Sequence, residues 1–183
     1  MSCMKHVIDG LRAGARACAG AGAVSAYDWP EPHQSALLDF YGAPGTGLVR
    51  ISLPYDMRLA WDTDTVVSTT VCHNLCADAM QDFLAGILKH YGMAGIRDHG
   101  LDLFGGIYNK RKIHGTDRWS VHAFGAAIDL APTTNGLGVA WPEHATMPVE
   151  VVRMFEALGG TAGARWQRPD AMHFEFTKRR DST

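Results

Sequence analysis

No stretch of the 183-residue chain approaches the ~20 consecutive apolar residues that span a bilayer, so membrane insertion is not expected. Neither sign of charge dominates. Seventeen Lys and Arg stand against nineteen Asp and Glu, a formal net charge of −2, which supplies no global basic field for nucleic acid or an anionic membrane. Cysteine is scarce. Cys3, Cys18, Cys72 and Cys76 show no disulfide-framework spacing, which suits a reducing compartment. Cys72, His73 and Cys76 have the look of metal ligands, but no fourth ligand follows at suitable spacing, and reduced cysteines beside a core are the simpler reading. A cleavable leader is also poorly supported. Lys5, Arg12 and Arg16 precede an Ala/Gly-rich run ending at Ala26, but Asp9 and Gly10 interrupt the front and the run is weakly apolar. The expectation is a chain made in the cytoplasm. Internal repeats and a second domain are absent too. Residues 1–28 read as an Ala/Gly-rich arm and residues 29–183 as one domain.

What is present reads as alternating helices and strands without a regular βαβ rhythm. Residues 35–41 form a short helix with Leu37, Leu38 and Tyr41 on one face, stopped by Gly42 and Pro44. Residues 48–52 alternate and read as a strand, 54–61 as an irregular, aromatic-lined segment, and the β-branched run 66–72 as a second strand. Asn74 is a candidate N-cap for the longest helix, whose stripe runs from Cys76 to Tyr91 and which Gly92 ends. A third strand covers 103–108, its glycines implying a bulge or a close backbone approach. A basic loop covers 110–119, a strand carrying Asp129 covers 126–131, and a long loop covers 133–145. Pro148 opens a helix bearing Val151, Met154, Phe155 and Leu158, ended by Gly159 and Gly160. A last strand covers 172–177. The class is α+β with a small, mainly antiparallel sheet and packed helices.

Two stretches carry chemistry. Ser120-Val-His-Ala-Phe-Gly-Ala-Ala-Ile-Asp129 places an imidazole, His122, and a carboxylate seven residues apart. Asp170-Ala-Met-His173-Phe-Glu175 adds a second imidazole and two further carboxylates. Alternation on a strand puts His173 and Glu175 on one face and Phe174 and Phe176 on the other. Asp129, between Ile128 and Leu130, is a carboxylate in an apolar strand, which is costly unless paired or bound to a cation. Two His and one Asp can hold zinc through three ligands and leave the fourth position to water. A general base must take that water's proton; by spacing, either Asp170 or Glu175 serves. His6, His33, His73, His90, His99, His114 and His144 lack such company and read as surface or structural.

The paired motifs Ser-x-His-x-x-Gly-x-Ala-x-Asp and Asp-x-Met-His-Phe-Glu resemble the zinc peptidases that cut peptidoglycan stem peptides: the VanY-type D-Ala-D-Ala carboxypeptidases and the phage L-alanyl-D-glutamate endopeptidases. Phe40-Tyr-Gly42, Gly105-Gly-x-Tyr-Asn-x-Arg111 and Asn135-Gly-x-Gly138 resemble the phage or prophage branch. The resemblance spans about residues 29–178. It implies that His122, Asp129 and His173 bind Zn2+ and that Asp170 is the catalytic acid/base, which leaves Glu175 behind the metal ligands. It further implies that Arg111 binds substrate and stabilises the oxyanion, that Ser120 orients its loop or binds substrate, and that Trp166 walls the cleft. It implies a Hedgehog/DD-peptidase fold, a monomer, and endolysin-like action on the cell wall after holin-type release or from a virion. Thr161-Ala-Gly-Ala-Arg165-Trp166 departs from the Trp-Gly-Gly that phage relatives show before the last segment's Trp, which bears on the cleft wall rather than on the metal ligands.

Overall fold

A computed structural model describes residues 27–179. The N-terminal arm expected over 1–28, with Cys3, Cys18 and His6, lies outside the described residues except for its last two.

Helix α1 (Gln34–Tyr41) is followed by the long hairpin of β1 (Leu48–Leu59) and β2 (Asp62–His73). Helix α2 (Ala77–Asp98) leads to β3 (Leu103–Gly106), and β4 (Ala127–Leu130) follows the basic loop. A single helical turn, α3 (Pro132–Asn135), and helix α4 (Val149–Ala157) precede the short strands β5 (Thr161–Ala162) and β6 (His173–Glu175). The six strands form one sheet in the order β2-β1-β3-β4-β6-β5. Only β1 and β3 pair in parallel, so the sheet is mixed but mostly antiparallel, and the α+β class holds.

The core lies where α2 and α4 cover one face of the sheet. Phe83 of α2 meets Phe155 of α4 at 4.8 Å and Phe174 of β6 at 5.3 Å between ring centroids, and Phe155 meets Phe176 at 4.8 Å. Ile128 and Leu130 of β4 are buried in the same core. With that face committed to apolar packing, the pleat turns Asp129, His173 and Glu175 to the other side.

Several elements differ from the sequence reading. β1 runs straight through residues 54–59, because the register against β2 slips between Ser52 and Met57. Pro54, which cannot donate to a ladder, sits inside that slip. Asn74 is not the N-cap. A 3-10 turn at Asn74–Cys76 comes first, and His73 caps it by accepting from the Leu75 amide. The helical backbone breaks at Gly92 (φ 59°), as expected, but resumes as far as Asp98. β5 is too short to leave an alternating pattern.

Candidate metal centre and its cleft

β4 and β6 are antiparallel neighbours in which Asp129 faces His173 directly. His122 arrives from a 3-10 turn at Val121–Phe124, capped by the buried Ser120, whose Oγ accepts from the His122 amide at 3.3 Å. Gly125 (φ 71°) ends the turn in the left-handed region and sends the chain into β4. Gly105 of β3 permits the closest approach: a Cβ there would stand 2.7 Å from the Asp129 Cβ.

Three ligand atoms therefore converge. His122 Nε2 lies 3.2 Å from Asp129 Oδ1 and 3.1 Å from His173 Nδ1, and His173 Nδ1 lies 3.0 Å from Asp129 Oδ1. The outer ring nitrogens fix the tautomers. His122 Nδ1 donates to the Ile107 carbonyl at 2.8 Å, and His173 Nε2 donates to Glu175 Oε2 at 3.1 Å. Glu175 is itself anchored by the Thr177 hydroxyl at 2.8 Å. With both outer positions carrying protons, the neutral rings aim two lone pairs at one carboxylate oxygen, an arrangement that calls for a cation. Tetrahedral ligation at about 2.0–2.1 Å separates ligand atoms by about 3.3 Å, close to the spacing found. The donor set of two imidazoles and one carboxylate fits zinc and leaves room for a further ligand.

Without a metal a proton takes its place. Burial alone would lower the His173 pKa, but hydrogen bonds to Asp129 and Glu175 outweigh it and raise it to about 10. Burial likewise disfavours a charged Asp129, yet hydrogen bonds from His122 and His173 hold its carboxyl far below the usual range.

The cluster stands between two cavities. The larger, about 540 Å³, is lined by His173, Glu175, Asp170, Trp166 and Ser120. The smaller, about 180 Å³, is lined by His122, Asp129, Trp61 and Tyr108. Arg111 borders both. Trp166 is 5.3 Å from the His173 ring. Asp170 keeps its Oδ1 buried with no protein partner. Burial raises its pKa, and of the surrounding charges Asp129 adds to this while His173, His122 and Arg111 oppose it. All eight residues singled out in the sequence either belong to this cluster or line the two cavities beside it.

Residues 114–176 match the D-alanyl-D-alanine carboxypeptidase family. The match covers roughly a third of the chain and contains His122, Asp129, Asp170 and His173; Arg111 lies just before it. No curated protein and no solved structure matches the chain. The family match supports a metallopeptidase-type hydrolase acting on peptidoglycan, and the convergent His122, Asp129 and His173 could hold its metal. Among the described residues no helix is long and apolar enough to cross a membrane.

Sequence reasoning missed three contributors. Trp61, at the tip of the β1–β2 hairpin, is 70% exposed and lines the smaller cavity; the sequence places it only at the end of an irregular, aromatic-lined segment. Arg168 lines the larger cavity, where its charge reads in sequence as ordinary loop polarity. Asn135 is fully buried and pins three segments: its amide donates to the Ala131 carbonyl, its side-chain oxygen accepts from Met147, and its own carbonyl accepts from Met172 beside the ligand strand. In the sequence Asn135 stands out only as part of Asn135-Gly-x-Gly138, which says nothing of this buried role. Cys72, His73 and Cys76 form no ligand cluster: the thiols are buried, and His73 Nε2 donates to the Tyr41 carbonyl at 2.9 Å.

Proposed function

We propose that the protein is a zinc-dependent peptidoglycan stem-peptide hydrolase, an endolysin-like L-alanyl-D-glutamate endopeptidase of the phage type. The observation that carries the hydrolase reading is the convergence of His122 Nε2, His173 Nδ1 and Asp129 Oδ1, with both imidazoles oriented from behind by Ile107 and Glu175. His122, Asp129 and His173 would hold the zinc, which supplies a Lewis acid and a water acidified toward neutrality. Asp170 carries the proton. Its carboxylate takes a proton from the attacking water, the water oxygen adds to the scissile carbonyl carbon, and the carbonyl electron pair moves onto oxygen. Arg111, bordering both cavities, stabilises the oxyanion. The C–N bond then breaks, and the nitrogen takes the proton back from Asp170. Glu175 is committed to His173 and Thr177, which favours Asp170 as the base. Ser120 holds the His122 turn, and Trp166 provides an aromatic wall beside the ligand.

A second reading, D-Ala-D-Ala carboxypeptidase, is favoured by the description of the matched family. A cell-wall-binding module that keeps zinc without turnover would have no need of a carboxyl and a guanidinium such as Asp170 and Arg111 lining the same cavity. The test is mass spectrometry of muropeptides digested by the protein, with and without chelator. New L-Ala carboxyl and D-Glu amino ends establish the endopeptidase; released D-Ala establishes the carboxypeptidase. Intact muropeptides in the presence of zinc sink both.

A further inference from the structure

The arginines of the larger cavity differ from most other cations of the fold. Arg58 is paired with Asp102, Lys112 with Asp117, Arg153 with Glu150, and Arg165 and Arg179 with Glu156. Arg111, Arg118 and Arg168 all line the larger cavity, and among the described residues none makes an ion pair. Arg168 is also placed. Its guanidinium lies against the bare backbone of Gly138, where an added Cβ would stand 3.3 Å from its Nε. The Gly138 amide donates to the carbonyl of Pro169, the residue between Arg168 and Asp170. One loop contact therefore sets both the arginine and the start of the segment bearing the proton carrier.

Asp170 lines the larger cavity and not the smaller. A carboxyl that hands its proton to the departing nitrogen has to lie beside it, so the amine-side fragment leaves through the larger cavity. At about 540 Å³ that cavity is of a size that holds ligands well beyond a single alanine.

We infer that Arg168, assisted by Arg118, is a carboxylate-recognition subsite for the fragment released on the amine side. The inference rests on the stem-peptide hydrolase reading. It assigns Arg168 to the free α-carboxylate of a γ-linked D-glutamate next to the scissile nitrogen, a planar acceptor that a guanidinium fork matches.

The zinc-loaded full chain is assayed on two synthetic stem peptides that differ only in this carboxylate, one a free acid and the other a carboxamide. The free acid is cleaved with a kcat/KM about tenfold higher, the difference lying mainly in KM and shrinking with added salt. Arg168→Gln brings the acid-to-amide ratio close to one, and Arg168→Lys restores part of it. In parallel, calorimetry with the Asp170→Asn chain measures binding of the free-acid peptide, which Arg168→Gln weakens by a similar factor. Equal cleavage of acid and amide by the unaltered chain, or an Arg168→Gln loss of the same size on both, overturns the inference while leaving the hydrolase reading intact. Cleavage of neither peptide, with zinc bound, overturns the hydrolase reading and the inference with it.

Discussion

His173 is held by a carboxylate on each ring nitrogen, and those two contacts give it two stable forms. In the metal-free protein burial resists its charge, but Asp129 and Glu175 keep it protonated up to about pH 10. A zinc ion held as proposed would need the same Nδ1 as a lone pair, so metal and proton would compete. Apparent zinc affinity should rise by about tenfold per pH unit from mildly acidic to alkaline solution, with close to one proton released from this ring on binding. Competition titrations at pH 6, 7 and 8 check this; a flat profile would contradict it. For folding of the metal-free chain the shift runs the other way. The charged His173 stabilises fully below the unfolded value of 6.5, and that contribution fades as pH climbs toward about 10. Replacing Asp170 by Asn should cut hydrolysis by about 10²–10⁴-fold while zinc content stays stoichiometric. If that variant keeps full activity, Glu175 takes the role of base. These residues were legible because their spacing is local and a carboxylate amid apolar neighbours is conspicuous. Arg168 was not: what places it is a contact between distant loops, with Gly138 against its guanidinium and bonded to the neighbouring Pro169 carbonyl, and an arginine on a polar loop looks solvated.

At the scale of elements, the site depends on how closely β3, β4 and β6 pack. Gly105→Ala would press a methyl group against Asp129, where only 2.7 Å is available. A loss of about 1–3 kcal/mol in stability is expected, together with weaker zinc binding, read by thermal melts with and without metal. Glu175→Gln leaves the strand pairing intact but loosens His173. Zinc affinity should drop by about 10–100-fold, which the same titrations measure. The glycine pair of β3 and the Phe174/Phe176 alternation of β6 signalled these elements in sequence because both follow from the pleat. The continuation of β1 through Pro54 did not, since parallel pairing with β3 and a slipped register against β2 hold it there. Two-residue β5 exists only because β6 offers it a partner.

Across the whole molecule, one face of the sheet is spent on the phenylalanine core and the opposite face carries the polar cluster, with a cavity on either side. The long hairpin brings Trp61 from more than sixty residues upstream of Asp129 to the smaller cavity. An exposed aromatic face there is suited to stacking on the acyl side of the substrate, and Trp61→Ala should raise KM several-fold with little change in kcat. A change confined to kcat would move Trp61 out of substrate binding. No local pattern could have announced this placement, because it comes from strand order rather than from neighbouring residues.

Zinc K-edge X-ray absorption on the purified, metal-loaded chain tests the metal centre most directly. One zinc per chain is expected, bound by two imidazole nitrogens and oxygen donors at about 2.0–2.2 Å, with no sulfur. A sulfur shell at about 2.3 Å would place the metal on cysteine instead, and zinc bound at less than stoichiometric level at neutral pH would contradict the convergence of His122, Asp129 and His173 on a cation.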